Sequence, residues 1–218
     1  MSTARPTGIV RRLWKETPHL TGVVLEVSPE LAAQYTRPGQ VVVLRPNDHD
    51  QIYLAIASAP GEVQALELLI GEAAMAKAKL EQGARVQLDP PSGPGFKLEM
   101  AEGRDVLLFA VGSGLAPVRP LIQHFRKNRS DYGQIILYVG AHTEADFPYQ
   151  AEFQGWKRDR IDVVRSVSKP WVQDRFREEA PDVRNAVAFV VGMKAMIEGV
   201  TAALTEAGLD KERIGKNW

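Results

Sequence analysis

The sequence predicts a two-domain β + α/β protein, in which a small antiparallel β-domain precedes a parallel sheet with helices on its faces. Short β-rich segments separated by Gly and Pro fill the first half of the 218 residues, which is typical of a barrel or a sandwich. Strands and helices alternate in the second half, as in a parallel sheet with right-handed crossovers. Because the chain turns polar between residues 98 and 104, we expect domains of residues 1–99 and 100–218.

The first half contains about six segments of strand composition bounded by turn residues. A helix is predicted over residues 71–82, where alanines are frequent, and Gly83 is placed to end it. Pro38-Gly39-Gln40 predicts a turn before the most apolar strand. The predicted strands are 9–14, 21–27, 41–44, 53–57, 65–70 and 85–88.

The second half contains four apolar strand segments, each followed by a segment of helical character. Ligands of parallel sheets bind outside the carboxyl ends of the strands, so those ends are the candidate binding segments: 112–117, 140–143, 166–169 and 192–196. The predicted strands are 106–111, 134–140, 161–165 and 186–191, and the predicted helices are 118–129, 149–158, 172–179 and 195–207.

The most informative local pattern begins the second half. An all-apolar run is followed by Gly112-Ser113-Gly114 and then by apolar residues at helical spacing, which indicates strand, tight turn and helix. The glycines permit close backbone approach, and Pro117 and Pro120 are expected in the first turn of the helix. Free amides and the helix dipole would then form a phosphate site. The alternative is a plain strand-to-helix turn, because Pro117 replaces the third glycine of the dinucleotide fingerprint.

Composition excludes several classes of function. Lys+Arg and Asp+Glu number 27 each, so no net field attracts nucleic acid. The absence of Cys from the sequence excludes disulfides, thiolate catalysis, iron–sulfur ligation and Cys-type zinc sites, and we expect no metal. Redox chemistry would therefore need an organic cofactor. Without an apolar signal region or a membrane span, we expect a cytoplasmic protein, or one of the plastid stroma if the source is eukaryotic.

Several residues have both a functional and a purely structural interpretation. The small side chains of residues 53–61 would let a flat ligand lie on the strand with Ser58 as a hydroxyl partner, or they form an ordinary core strand. Trp218 is either a frayed terminus or an aromatic ring docked on something flat. The other residues with two interpretations lie after strands, as loop, turn or core residues or as ligand contacts: His142, Ser168, Lys169, Met193 and Met196.

In this order and spacing, the motifs resemble the ferredoxin-NADP reductase superfamily over essentially the whole chain. The similarity is closest to the short FAD/NAD(P)-binding branch that includes the plant fruit-protein homologues, whose equivalent strand also reads Leu-Ala-Ile-Ala-Ser. The motifs that carry the resemblance are at residues 38–40, 56–61, 93–96, 112–117, 138–140 and 192–196.

The resemblance implies an N-terminal six-stranded barrel that binds flavin, FAD rather than FMN, and a C-terminal domain that binds NADP or NAD. Hydride would pass between nicotinamide C4 and flavin N5, and electrons would go on to an unidentified acceptor, for which a small redox protein is one candidate. The family's flavin motif Arg-x-Tyr-Ser/Thr falls on Ile52, Tyr53, Leu54 and Ala55, so three of its functional side chains are missing. The alternative is therefore a reductase-like scaffold with impaired flavin binding, acting as a nucleotide-sensing or partner-binding module.

The site residues implied by the resemblance fall into three groups. Ser58 and Trp218 are the expected catalytic residues, with Trp218 covering the flavin ring, and Val191 stands where the family has Cys. The flavin is expected to contact Tyr53, Leu54, Ala55, Ile56, Ser58, Leu69, Ile70, Gly71, Ala76, Lys77 and Trp218. The nicotinamide nucleotide is expected to contact Gly112, Ser113, Gly114, Pro117, His142, Ser168, Lys169, Gly192, Met193 and Met196.

Overall fold

The computed structural model describes residues 5–47, 49–61 and 65–217. The strands are β1 (Thr7–Thr17), β2 (Leu20–Glu26), β3 (Val41–Arg45), β4 (Ile52–Ala55), β5 (Ala65–Gly71), β6 (Arg85–Ser92), β7 (Asp105–Val111), β8 (Ile135–Ala141), β9 (Ile161–Val167), β10 (Ala186–Val191) and β11 (Ile214–Gly215). The α-helices are α1 (Pro29–Ala32), α2 (Glu72–Ala78), α3 (Leu115–Lys127), α4 (Phe153–Arg158), α5 (Val172–Glu179) and α6 (Lys194–Glu206).

The first six strands form one antiparallel sheet in the order β4-β3-β6-β1-β2-β5. Just beyond β4, Ile56 bridges to Leu68 of β5, and the amide of Ala57 donates to the carbonyl oxygen of Glu67 at 2.7 Å. The two outer strands therefore meet, and the sheet closes around an apolar interior. This confirms the predicted six-stranded antiparallel architecture.

The remaining strands form a parallel sheet in the order β11-β10-β7-β8-β9. Every residue of β8 and of β10 is buried, as expected for strands covered on both faces. Helices α3 and α4 pack on one face of this sheet, and α5 and α6 pack on the other. The chain leaves β7 towards β8 on one side and returns to β10 on the other. The strand order thus reverses between β7 and β10, the position where such sheets bind ligands.

The two sheets share apolar packing. Leu20, Ala57 and Leu69 of the barrel, together with Phe96, belong to the same buried cluster as the inner face of α3. The apolar contact fixes the barrel against the parallel sheet. It also brings the β4–β5 side of the barrel to the end of the sheet where β7 and β10 finish.

Helix α3 differs from its prediction at its beginning. It starts at Leu115 rather than at residue 118, because a 3₁₀ turn at Gly112–Gly114 leads directly into it. Pro120 consequently lies inside the helix and not in its first turn. A proline inside a helix costs about 3 kcal/mol. The buried face of α3, which includes Leu121 and Phe125, offsets that cost through packing on the sheet.

Candidate functional site

Two glycine-containing loops meet at the point where the strand order reverses. The loop after β7 has Gly112 at φ 52°, a conformation that favours glycine. A Cβ on Gly114 would lie 2.9 Å from the carbonyl oxygen of Val191, and a Cβ on Gly192 would lie 2.7 Å from the sulfur of Met196. The Gly114 distance shows that the loops after β7 and β10 are in close backbone contact, which a side chain at position 114 would disrupt.

A cavity of about 410 Å³ opens between these loops and the barrel. The barrel contributes an apolar wall that consists of Val41, Tyr53, Leu54, Ala55 and Leu69. Tyr53 is the exposed member of this wall, with 67% of its surface accessible. The volume is within the range of about 300–1,000 Å³ usual for small-molecule sites.

The parallel sheet and the chain end form the opposite wall of this cavity. Ser113 and Gly114 lie beside Gly192 and Met193 on this wall, and Asn217 joins them from the chain end. The side chain of Asn217 donates from Nδ2 to the carbonyl oxygen of Gly39 at 3.1 Å. Its Oδ1 atom is buried and has no hydrogen-bond partner among the described residues. This oxygen is therefore a buried, unpaired acceptor of a residue that lines the cavity.

A second cavity of about 380 Å³ adjoins the first, since Val111 and Met193 line both. It lies over the carboxyl ends of β8 and β9, where the sequence predicted binding. Trp171 and Gln173 also line it, and neither was predicted. The signal that could have identified them is a large aromatic residue directly after Pro170, at the end of a parallel strand.

The structure brings most of the predicted nicotinamide-side residues to the two cavities. Gly192 and Met193 line the first, and Met193 reaches the second with 72% of its surface exposed. Lys169 is an exposed residue in the loop after β9. The other predicted residues that line a cavity are Ser113, Gly114 and Pro117 in the first and His142, Ser168 and Met196 in the second.

The predicted flavin-side residues divide into two sets. Leu54, Ala55 and Leu69 line the first cavity together with Tyr53. The hydroxyl of Ser58 instead lies in the barrel, where it accepts from the amide of Glu67 at 3.1 Å. Five other predicted residues are absent from the cavity lining as described: Ile56 and Ile70 in the barrel core, and Gly71, Ala76 and Lys77 at α2. Trp218 lies outside the described residues.

Arg119 of α3 holds the barrel against the helix beside the cavity. Its Nη1 donates to the carbonyl oxygen of Ala57 at 3.0 Å and lies 3.1 Å from Glu67, and its Nε donates to Glu152 at 2.8 Å. The guanidinium also lies over the ring of Tyr149. Burial disfavours the charged guanidinium, but the two carboxylates outweigh that effect and raise the pKa of Arg119. Burial has the opposite effect on a carboxyl group and raises the pKa of Glu152.

A family model described as the oxidoreductase NAD-binding domain matches residues 108–202. Sulfhydrogenase 1 subunit gamma of Pyrococcus furiosus is 30% identical over 202 residues, which cover 85% of this chain and 69% of that protein. The sulfite reductase [NADPH] flavoprotein alpha-component of Thiocapsa roseopersicina is 28% identical over 151 residues, 62% of this chain and 29% of that protein.

Solved structures of the same fold include a cytochrome P450 reductase from Amycolatopsis. Its TM-score is 0.84 at 20% identity, covering 99% of this chain and 71% of that one. Ferredoxin-NADP+ reductase from Plasmodium falciparum has a TM-score of 0.80 at 15% identity, covering 97% and 95%.

The barrel, the parallel sheet and the glycine loops at the reversal point form the fold of an oxidoreductase family whose matching model is described as an NAD-binding domain. The chain belongs to the ferredoxin-NADP reductase superfamily, as its motifs indicated. In the described part of the chain, no helix is long and apolar enough to cross a membrane.

Proposed function

We propose that the chain is a flavin-dependent oxidoreductase that takes a hydride from NAD(P)H and passes the electrons to a further acceptor. The observation that carries the proposal is the shared cavity, in which Leu54 and Ala55 of the barrel and Gly114 and Gly192 of the parallel sheet line one space. Two flat rings could stack between these walls. Catalysis would then consist mainly of alignment, because the redox chemistry belongs to the two ring systems.

The nicotinamide nucleotide suits the parallel-sheet side of the site. The 3₁₀ turn Gly112–Gly114 leads directly into α3, and the amide of Leu115 donates to the carbonyl oxygens of Gly112 and Ser113. The amides without an earlier partner are therefore those of the turn itself, and at the positive end of the helix dipole they suit a pyrophosphate. Trp171 and Gln173 in the second cavity offer a stacking face and an amide for the adenine ring. When bound, the nucleotide would supply the hydride, and Val191 and Gly192 would line the space for its ring.

The choice between NADP and NAD depends on the loop after β9. Ser168 donates its hydroxyl to the carbonyl oxygen of His142 at 2.8 Å, and Lys169 beside it is exposed. A 2′-phosphate placed there would meet one lysine ammonium, whereas the hydroxyl proton of Ser168 is already donated to His142. Every assay should therefore include both NADPH and NADH.

The apolar barrel wall suits the ring of a flavin. We assign residues 1–99 to the flavin side and residues 100–218 to the nicotinamide side. The catalytic roles of Ser58 and Trp218 stay predictions. For Ser58, the bond to the Glu67 amide favours a role in positioning the β4–β5 side of the barrel.

The test of the proposed function is NAD(P)H oxidation by the purified chain with added flavin, with ferricyanide as the final acceptor. We expect turnover that depends on both the nucleotide and the flavin. Gly114→Ala should reduce it, because the new Cβ would meet the Val191 carbonyl oxygen. Absence of nucleotide oxidation with riboflavin, FMN and FAD alike would refute the proposal.

A second candidate is a nucleotide-binding module without turnover. Ile52 and Leu54 favour it, since they belong to the barrel core at positions where the resemblance implies polar flavin contacts. Calorimetry separates the two candidates. Binding of NADH or NADPH in a chain that oxidises neither, with or without flavin, would support the module.

The electron acceptor can be sought through association. The relative from Pyrococcus furiosus is, by its name, a subunit of a sulfhydrogenase. We propose that this chain likewise delivers electrons to a redox partner. Size-exclusion of the native material tests whether it travels with one, and migration as the isolated 24.1 kDa chain would instead favour a diffusible acceptor.

A further inference from the structure

On its barrel side, the first cavity suits the ring of a flavin but not its charged phosphate tail. None of the residues that line it, among those the structure describes, has a charged side chain. The amides that suit an anion belong to the Gly112–Gly114 turn, on the opposite wall. That wall is the one that the nicotinamide nucleotide occupies in the proposed function.

The barrel residues that line the cavity as described offer no cation to a phosphate. Leu69 lines the cavity, and α2 begins three residues later with Glu72, whose carboxylate lies 3.4 Å from Nδ1 of His19 and does not line the cavity as described. The lysines of this segment, Lys77 and Lys79, are exposed and do not line the cavity as described. Among the described residues that line the cavity, a flavin phosphate therefore finds no cationic partner, although strong phosphate sites depend on charge-assisted hydrogen bonds.

The same cavity does hold an unused neutral hydrogen-bonding group. Asn217 is 7% exposed, and its Nδ2 is committed to the carbonyl oxygen of Gly39. Its buried Oδ1 lacks a partner within residues 5–47, 49–61 and 65–217. Leaving such an acceptor unpaired is costly, so a ligand N–H is the natural partner. The imide N–H of an isoalloxazine ring is such a donor.

We propose that flavin is a dissociable substrate of this chain, recognised by its ring through Asn217 and the apolar barrel wall and not by its phosphates. The protein would then be a reductase of free flavins, an inference that rests on the proposed function. The C4–H bond of the nicotinamide breaks and an N5–H bond forms on the flavin, which carries over two electrons. Flavin N1 takes a proton from water. NAD(P)+ and dihydroflavin leave, and the acceptor is reduced in solution.

The test compares riboflavin, FMN and FAD as substrates for the full chain with saturating NADH and with saturating NADPH. Because no contact distinguishes their tails, we expect kcat/KM values within about threefold of one another. The chain should also lose its flavin absorbance on desalting. Flavin retained near one per chain, or an FAD preference above about tenfold over riboflavin, would overturn the inference and leave the proposed function intact. No oxidation with any flavin would overturn both.

Two variants examine the ring contact. Asn217→Ala should raise KM for all three flavins by a similar factor of about tenfold, because each loses the same hydrogen bond. Gln123→Ala is the matched control, since Gln123 also has a buried oxygen without a described partner but does not line the cavity. An Asn217→Ala variant with unchanged KM values would remove Asn217 from the site and overturn the ring contact.

A third variant introduces the missing cation. Tyr53→Arg replaces an exposed residue of the barrel wall, so the barrel should tolerate it. We expect the kcat/KM ratio of FMN to riboflavin to rise about tenfold. An unchanged ratio would mean that the missing cation does not explain the lack of phosphate recognition.

Discussion

Replacing Arg119 with Met should weaken the contact between the barrel and helix α3 and so lower the free energy of unfolding. The methionine keeps much of the apolar stem but removes the guanidinium that bridges Glu67 and Glu152. Two carboxylates would then face each other without a cation in a partly buried space. The carbonyl oxygen of Ala57 would also lose its donor.

The side chains involved are mostly buried: Arg119 is 13% exposed, Glu67 19% and Glu152 29%. Removing one partner of a buried ion pair costs about 3–5 kcal/mol. Since Glu152 keeps some solvent, we expect about 3 kcal/mol, at the lower end of that range. For a chain of this length, that corresponds to a fall of about 6–12 °C in the unfolding midpoint.

Thermal and chemical unfolding of the Arg119→Met variant measure this loss. The triple variant that adds Glu67→Gln and Glu152→Gln should recover part of it, because no unpaired charge remains. In the native chain Arg119 lowers the pKa of Glu152 against the larger effect of burial, so its loss should raise that pKa further. The Arg119→Met variant should therefore be closer to the native chain at pH 5 than at pH 8, because the protonated folded state is favoured at low pH and this stability falls as pH rises above 4.5. A loss below about 1 kcal/mol, typical of a surface pair, would refute the reasoning.

Three further outcomes are expected. Gly114→Ala should weaken NADH binding in calorimetry, because its Cβ meets the Val191 carbonyl oxygen, whereas the control Gly71→Ala, with open space around its Cβ, should bind normally. Trp171→Ala should raise the dissociation constant for ADP-ribose about tenfold through lost base stacking, and equal affinity would exclude Trp171 from the site. Burial lowers the pKa of His124 below 6.5, so stability should fall as pH drops through about 6.5. In the His124→Gln variant, the denaturation midpoint should depend less on pH in this range. An undiminished pH dependence would contradict the assignment of this effect to His124.

The fold was predictable because its signals are local. Apolar segments identified β8 and β10 as strands, and the bounds of α5 and β10 coincide with those predicted, 172–179 and 186–191. The predicted first residue of α3 was wrong because the positions of prolines are a weak guide to where a helix begins when packing on the sheet decides its length. Pro120 stays inside the helix since the helix buries a full apolar face.

The site was predictable where the backbone builds it and not where distant side chains do. Gly112 and Gly114 act through conformation and close approach, which a glycine in the sequence already indicates. Asn217 reaches the cavity only because it meets Gly39, 178 residues away in sequence. Arg119 of α3 and Glu67 of β5 likewise come from distant parts of the sequence. No periodicity in the chain predicts such pairs.

The apolar residues Ile52 and Leu54 stabilise the barrel and also change which part of a ligand its cavity can recognise. Ile52 and Leu54 are 7% and 8% exposed and pack within the barrel core, where each contributes about 1.5–3 kcal/mol by burial. A cation at either position would need a partner that the surrounding core does not offer. The barrel is thus better packed at these positions but has no charged side chain there, next to its cavity. That exchange is the physical reason to expect ring recognition without phosphate recognition.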